Sequence, residues 1–197
     1  MATSTELAIA IFGVAPGGYQ SFLDNYYNAN GEVGLADELV TLLHQVYGSS
    51  VATNSGLASF LTNDLVGSSV STANQQFLTN YITTELNSGV DAGTLVDSLI
   101  NILDSVSPTD ANWGNAHSQF ANEVNVADYY HQIGGSSTDL TTLAGVLSGI
   151  NSTTGSVVNE EQALAVDARH ELPSLRELEY LGKRALKLLM WKINWQD

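Results

Sequence analysis

The sequence predicts an all-α fold of stacked helical hairpins, followed by a C-terminal amphipathic helix. Three observations carry that expectation. Apolar residues recur at three- and four-residue spacing along most of the chain. No strand-length alternation stands between hairpin turns. A helix-pair pattern occurs twice, which is the mark of duplicated supersecondary units.

The elements follow in order. Thr3-x-x-Glu6 is a capping box, in which the Thr hydroxyl accepts an orphan N–H and the Glu carboxylate reaches back, so a short helix opens there. Ala15-Pro16-Gly17-Gly18 closes it. Phe22, Leu23, Tyr26 and Tyr27 then repeat at helical spacing, and Asn30-Gly31 supplies a left-handed stop. Leu35, Leu39, Leu42, Leu43 and Val46 form the next stripe, closed by Gly48. Further helices are expected near 55–66, 72–87, 92–106, 110–133 and 138–149. Ser107-Pro108 reads as the N-cap and first position of the 110–133 helix, whose Trp113, Ala116, Phe120, Val124 and Ala127 share one face. Residues 172–195 carry Leu175, Leu178, Leu181, Ala185, Leu188 and Leu189 on one side of a helix and Arg176, Lys183 and Lys187 on another.

The repeat is read from two strings. Gln20-Ser21-Phe22-Leu23-Asp24-Asn25-Tyr26 returns as Gln75-Gln76-Phe77-Leu78-Thr79-Asn80-Tyr81. Downstream, Leu35, Asp37, Leu39, Leu42, Leu43 and Val46 match Leu95, Asp97, Leu99, Ile102, Leu103 and Val106. Two helical hairpins that cover each other's apolar faces are expected, with Phe22 and Phe77 buried at equivalent places.

Charge divides the chain more sharply than periodicity does. All six Lys and Arg fall between Arg169 and Lys192, while seventeen of the 21 acids precede residue 169. Ordinary composition, about 25% charged, would place about 20 bases in a segment of that length. The boundaries are therefore an acidic, Lys/Arg-free helical domain over 1–168 and a basic amphipathic helical tail over 169–197. A net charge of −15 repels phosphate backbones and argues against nucleic-acid binding. With no cysteine, disulfides, thiolate metal sites and thiol nucleophiles are excluded. Met1–Glu6 lacks the basic start of a secretory signal, and Leu7–Ala15 is too short to span a bilayer.

No sequence motif for nucleophilic, phosphate-binding or metalloprotease chemistry occurs, and no catalytic residue or organic cofactor is expected. His117 and His131 lie fourteen positions apart on one expected helix, about 21 Å, too far to share a metal. The oxygen-rich stretch Asp24, Asn28, Asn30 and Glu32, around Gly31, offers candidate calcium ligands, although its spacing is not that of an EF-hand loop. Arg176, Lys183, Lys187, Trp191 and Trp195 are the expected contacts with a partner or a membrane surface.

Phe12-Gly13-Val14-Ala15-Pro16 followed by Phe22-Leu23 resembles the start of the N-terminal helical domains of bacterial surface-layer proteins and related type I-secreted surface proteins. The stretch Phe120–Tyr130, followed by Ser137–Leu143 and Val146–Ile150, is similar to a helix-and-turn unit recurrent in those proteins. The resemblance covers about residues 5–155; the calcium-binding Gly-Gly-x-Gly-x-Asp repeats of that family do not occur. It implies a non-enzymatic extracellular structural module, exported without an N-terminal signal peptide, that anchors or assembles at the cell surface. The expected partners are copies of itself, other surface-layer components or a cell-surface glycan. The alternative is a small helical adaptor, or a secreted effector, whose basic tail binds a partner or membrane; a cytoplasmic location goes with the adaptor.

Overall fold

The structure is a computed structural model and describes residues 1–171, with side chains described through residue 167. The expected tail helix, with Arg176, Lys183, Lys187, Trp191 and Trp195, lies outside the described residues.

The described residues form an all-α fold of eight α-helices. They are α1 (Ser4–Phe12), α2 (Gln20–Tyr47), α3 (Asn54–Val66), α4 (Thr72–Asn87), α5 (Ala92–Ser105), α6 (Gly114–Gln132), α7 (Leu140–Val146) and α8 (Thr154–Glu171). Single 3-10 turns at Gly17–Tyr19, Gly48–Ser50 and Gly67–Ser69 link or end them.

What organises these helices is α1. Its sequence STELAIAIF is apolar nearly all round, and a helix of that kind must be enclosed. Leu7, Ile9, Ala10 and Ile11 have no exposed surface, and α1 packs against α2, α3, α5 and α6. The expected capping box starts it: Thr3 accepts from the Glu6 N–H, and Glu6 accepts from the Thr3 N–H. Gly13 ends it at φ 63°, a left-handed position that side chains disfavour. Its polar residues Ser4 and Thr5 are also buried, and both are hydrogen-bonded. Ser4 Oγ donates to Asp24 (2.5 Å) and accepts from Gln20 (3.0 Å), while Thr5 Oγ1 donates to Asp128 (3.1 Å). Around α1 the core is completed by Leu35 and Leu43 of α2, Leu61 of α3, Ile82 of α4, Ile100 of α5 and Phe120 of α6, all nearly or wholly enclosed.

Asn30-Gly31 interrupts its helix as expected: Gly31 leaves helical geometry (φ 77°, ψ −178°), so α2 consists of two helical stretches, 20–30 and 32–47, that meet at a sharp kink. They fold toward each other, since Phe22 and Leu23 of the first border the same groove as Leu39, Leu42 and Val46 of the second. One boundary differs from expectation for an identifiable reason. Ser107-Pro108 does not open α6. Residues 107–113 make a turn in which the Asp110 carboxylate accepts from the N–H groups of Asn112 and Trp113 (2.8 Å each), and α6 starts at Gly114. A Cβ on Gly114 would sit 2.5 Å from Pro108 O, so the close turn requires glycine there. At the other end, α8 runs through the compositional boundary at residue 168 without interruption.

Caps fix the remaining starts. Thr53, Ser71, Asp91 and Asp139 each accept from the N–H three residues on. Replacing Ser71 by Ala, which leaves the Asn74 N–H without its partner (3.2 Å), is expected to cost about 1 kcal/mol in urea unfolding. Thr72→Ala, one residue along, is the control, and equal loss in both variants would remove the capping role.

Candidate interaction grooves

Of the residues matched by the sequence repeat, the leucines are buried, whereas the two phenylalanines stand at the surface. In α4 the helical period buries Leu78 and Ile82 one turn apart. Phe77 and Tyr81 sit one position earlier on each turn, rotated about 100° out of the core. Phe77 is 64% exposed and Tyr81 40%. The same arrangement holds in α2, where Leu23 is buried and Phe22 is 54% exposed. The expectation that Phe22 and Phe77 fill core sites is thus wrong. An apolar stripe has two edges, and spacing alone places Phe and Leu on it together without saying which edge the neighbours cover.

Each exposed Phe borders an apolar groove. Phe77, Leu78, Leu99, Ile102 and Val106 line one of about 350 Å³, with Trp113 of the α5–α6 turn closing its side. The Phe77 and Trp113 rings lie 6.4 Å apart at 56°, within the range of favourable tilted aromatic pairs. Phe22, Leu23, Leu39, Leu42 and Val46 line the second, of about 280 Å³, with Tyr19 and Leu140 at its margin. These five residues and the five of the first groove occupy matched positions of the repeat. Among the described residues, neither groove has a charged lining residue.

A third hollow, about 720 Å³, is polar. It lies between α6, the 134–137 loop, α7 and α8, and its lining includes Tyr130, Ser136, Thr142, Glu160 and Asp167.

The oxygen-rich stretch around Gly31 is dispersed by the fold. Asp24 points to Ser4 and Gln20 (2.8 Å), Asn30 Nδ2 donates back to Tyr26 O, and Asn28 is exposed. Glu32 accepts from Tyr27 Oη (3.3 Å) and meets Asp97 across the α2–α5 contact. Loss of hydration, then the Asp97 carboxyl, raises the Glu32 pKa. A second acid pair, Asp37 with Asp91, spans the same two helices. Loss of hydration and then Asp91 raise Asp37, whereas the Thr94 N–H holds Asp91 below the usual carboxylate range. Among the described residues no three His, Asp or Glu are grouped to hold a metal ion. His44 Nδ1 donates to Val40 O and His117 Nδ1 to Leu103 O, each tied to backbone.

One further acid pair was not legible in the sequence. Asp64 of α3 and Glu123 of α6 are largely buried beside the end of α1, and burial pushes each carboxyl up to about 7. Asn63 donates to Asp64 Oδ1 (3.2 Å), Gln119 donates to Glu123 (2.8 Å), and Asp64 Oδ2 has no hydrogen-bond partner among the described residues. Only the packing of α3 against α6 brings them together, at positions 59 residues apart in sequence.

No family model, curated protein or solved structure matches the chain. Among the described residues no helix is long and apolar enough to cross a membrane.

Proposed function

We propose that this protein is a non-enzymatic structural module of an extracellular surface assembly, acting through contacts between copies of itself. The observation that carries the reading is the Phe77 groove. An aromatic side chain 64% exposed stands beside an uncharged hollow on the same face, with Ile102, 55% exposed, along its edge. A projecting group next to a recess is what a self-complementary two-fold contact requires, since each copy supplies both halves. The resemblance to surface-layer domains points the same way.

Charge sets the condition for such assembly. Residues 1–168 hold seventeen acids and no Lys or Arg, so neighbouring copies repel. The carboxyl pairs Glu32–Asp97 and Asp37–Asp91 add local repulsion between α2 and α5. Divalent cations relieve this beyond simple screening, and calcium is the ion proposed.

The test is sedimentation of the full chain. Millimolar calcium is expected to shift it to larger species, while sodium at matched ionic strength does so far less. Phe77→Asp should remain monomeric in calcium with an unchanged circular dichroism spectrum. A monomer under every condition, or equal assembly by the variant, would overturn the reading.

A further inference from the structure

We infer that Asn30 is a site of covalent self-modification, in which its side-chain amide is lost by cyclisation onto the Gly31 nitrogen, leaving an aspartyl or isoaspartyl linkage at the kink of α2. The inference is independent of the assembly reading, which uses the Phe77 groove.

The reaction balances with water as its co-reactant. The Gly31 nitrogen bonds to Asn30 Cγ, the Cγ–Nδ2 bond breaks, and ammonia leaves with the proton that the Gly31 nitrogen gives up. A cyclic imide remains, and water opens it at one of its two carbonyls. Opening at Cγ restores an ordinary backbone with an aspartyl side chain. Opening at the main-chain carbonyl carries the backbone through Cγ, as isoaspartate.

Three observations carry the inference. The first is steric. Asn30-Gly31 is the only Asn-Gly in the chain. The imide closes through the backbone nitrogen of the following residue, where a side chain would crowd the approach and narrow the accessible φ and ψ. Glycine does neither, and a Cβ placed on Gly31 would meet no described atom within 4 Å.

The second is the kink. Inside an unbroken helix, the peptide that follows an asparagine is held by hydrogen-bonded turns on both sides. Here Gly31, at φ 77° and ψ −178°, ends the first helical stretch at Asn30. The Asn30–Gly31 peptide therefore lies at a helix end, where the last turn frays. Both residues are exposed. The Asn30 amide makes one exposed hydrogen bond, from Nδ2 to Tyr26 O (3.0 Å), for which water competes.

The third is contrast. Asn54, Asn87 and Asn151 each precede a serine, the next least hindered kind of neighbour in this chain. The fold holds all three side chains. Asn54 Nδ2 donates to Asn87 Oδ1 (2.9 Å), and Asn151 Oδ1 accepts from Thr153 N–H (2.9 Å) and Thr153 Oγ1 (2.7 Å).

The site is also placed to matter. Stretches 20–30 and 32–47 both border the Phe22 groove, and Asn30 is their joint. Isoaspartate adds a carbon to the main chain there and puts a carboxylate where a neutral amide stood.

The test holds the full chain at pH 8 and body temperature and maps its peptides by mass spectrometry, with an isoaspartyl methyltransferase as the probe of the rearranged linkage. The Asn30 peptide is expected to gain the mass difference between an amide and an acid before any other asparagine does. Most of the product should be isoaspartate, and the rate should be of the same order as in guanidinium chloride. Asn30→Gln, whose longer side chain disfavours the ring, should lose that gain with an unchanged circular dichroism spectrum. Conversion in denaturant alone would mean that α2 protects the site. First conversion at Asn54, Asn87 or Asn151 would mean that the kink confers nothing, and aspartate without isoaspartate would mean hydrolysis without the imide. Any of the three overturns the inference.

Discussion

Phe120→Ala is expected to lower the unfolding free energy by about 3–5 kcal/mol, whereas Phe22→Ala and Phe77→Ala should each change it by no more than about 1 kcal/mol. The three residues are chemically identical and sit on helices of similar pattern. Phe120 is 2% exposed and packs in the cluster that contains α1, so truncation leaves a cavity that fixed neighbours on several sides do not collapse to fill. Phe22 and Phe77 already face solvent over most of their surface. Urea unfolding of the three variants, with sedimentation of Phe77→Ala alongside, separates a core role from a contact role. A loss above about 3 kcal/mol for Phe77→Ala in the monomer would mean that its ring is held in a core.

Neutralising the Asp64–Glu123 pair should stabilise the protein and flatten its response to pH. Both carboxyls have folded-state pKa values raised above those of the unfolded chain, so the folded protein keeps protons that the unfolded chain has released. Their contribution to stability is whole below about pH 4 and is lost as the pH rises to about 7 and beyond. Asp64→Asn keeps the shape and removes the charge, and at pH 8 it should gain on the order of 2 kcal/mol over the parent. At pH 4 the gain should vanish. Glu123→Gln should behave alike, and the two gains should fall short of additive because relieving one acid relieves the other. Asp167→Asn, on an exposed carboxylate, serves as the control for general self-repulsion. An Asp64→Asn curve parallel to the parent from pH 4 to 8 would show that these carboxyls do not govern the slope.

Helices were legible in the sequence wherever a local signal marked both ends. The Thr3–Glu6 box opens α1 where expected, and α3, α4 and α5 match the expected spans 55–66, 72–87 and 92–106 within a residue or two, because a cap acts through its own neighbours. Where the deciding contact is distant, reading failed. Pro108 looks like a helix start until Asp110 and Gly114 fold the turn around it. Asn30-Gly31, by contrast, carries its own signal, and the helix breaks at Gly31 as expected. α8 carries little periodicity and received no expectation. The grooves were half visible: the matched strings named their residues, but Phe22 and Phe77 were expected in the core and stand in solvent. The Asp64–Glu123 pair had no local signal at all, since neither helix records which acid the other will bring.

The burial of α1 also sets a timetable. Thr5 bonds to Asp128, 123 residues downstream, and the apolar sides of α1 wait for α3, α5 and α6. During synthesis at roughly 5–20 residues per second, this greasy helix is made on the order of ten seconds before the last of its neighbours. Until then only the earlier helices α2, α3 and α5 can shelter it, and the side that meets α6 stays open. The domain therefore closes late, when α6 arrives. A chain interrupted before α6 would leave that side of α1 open to whatever apolar surface came first.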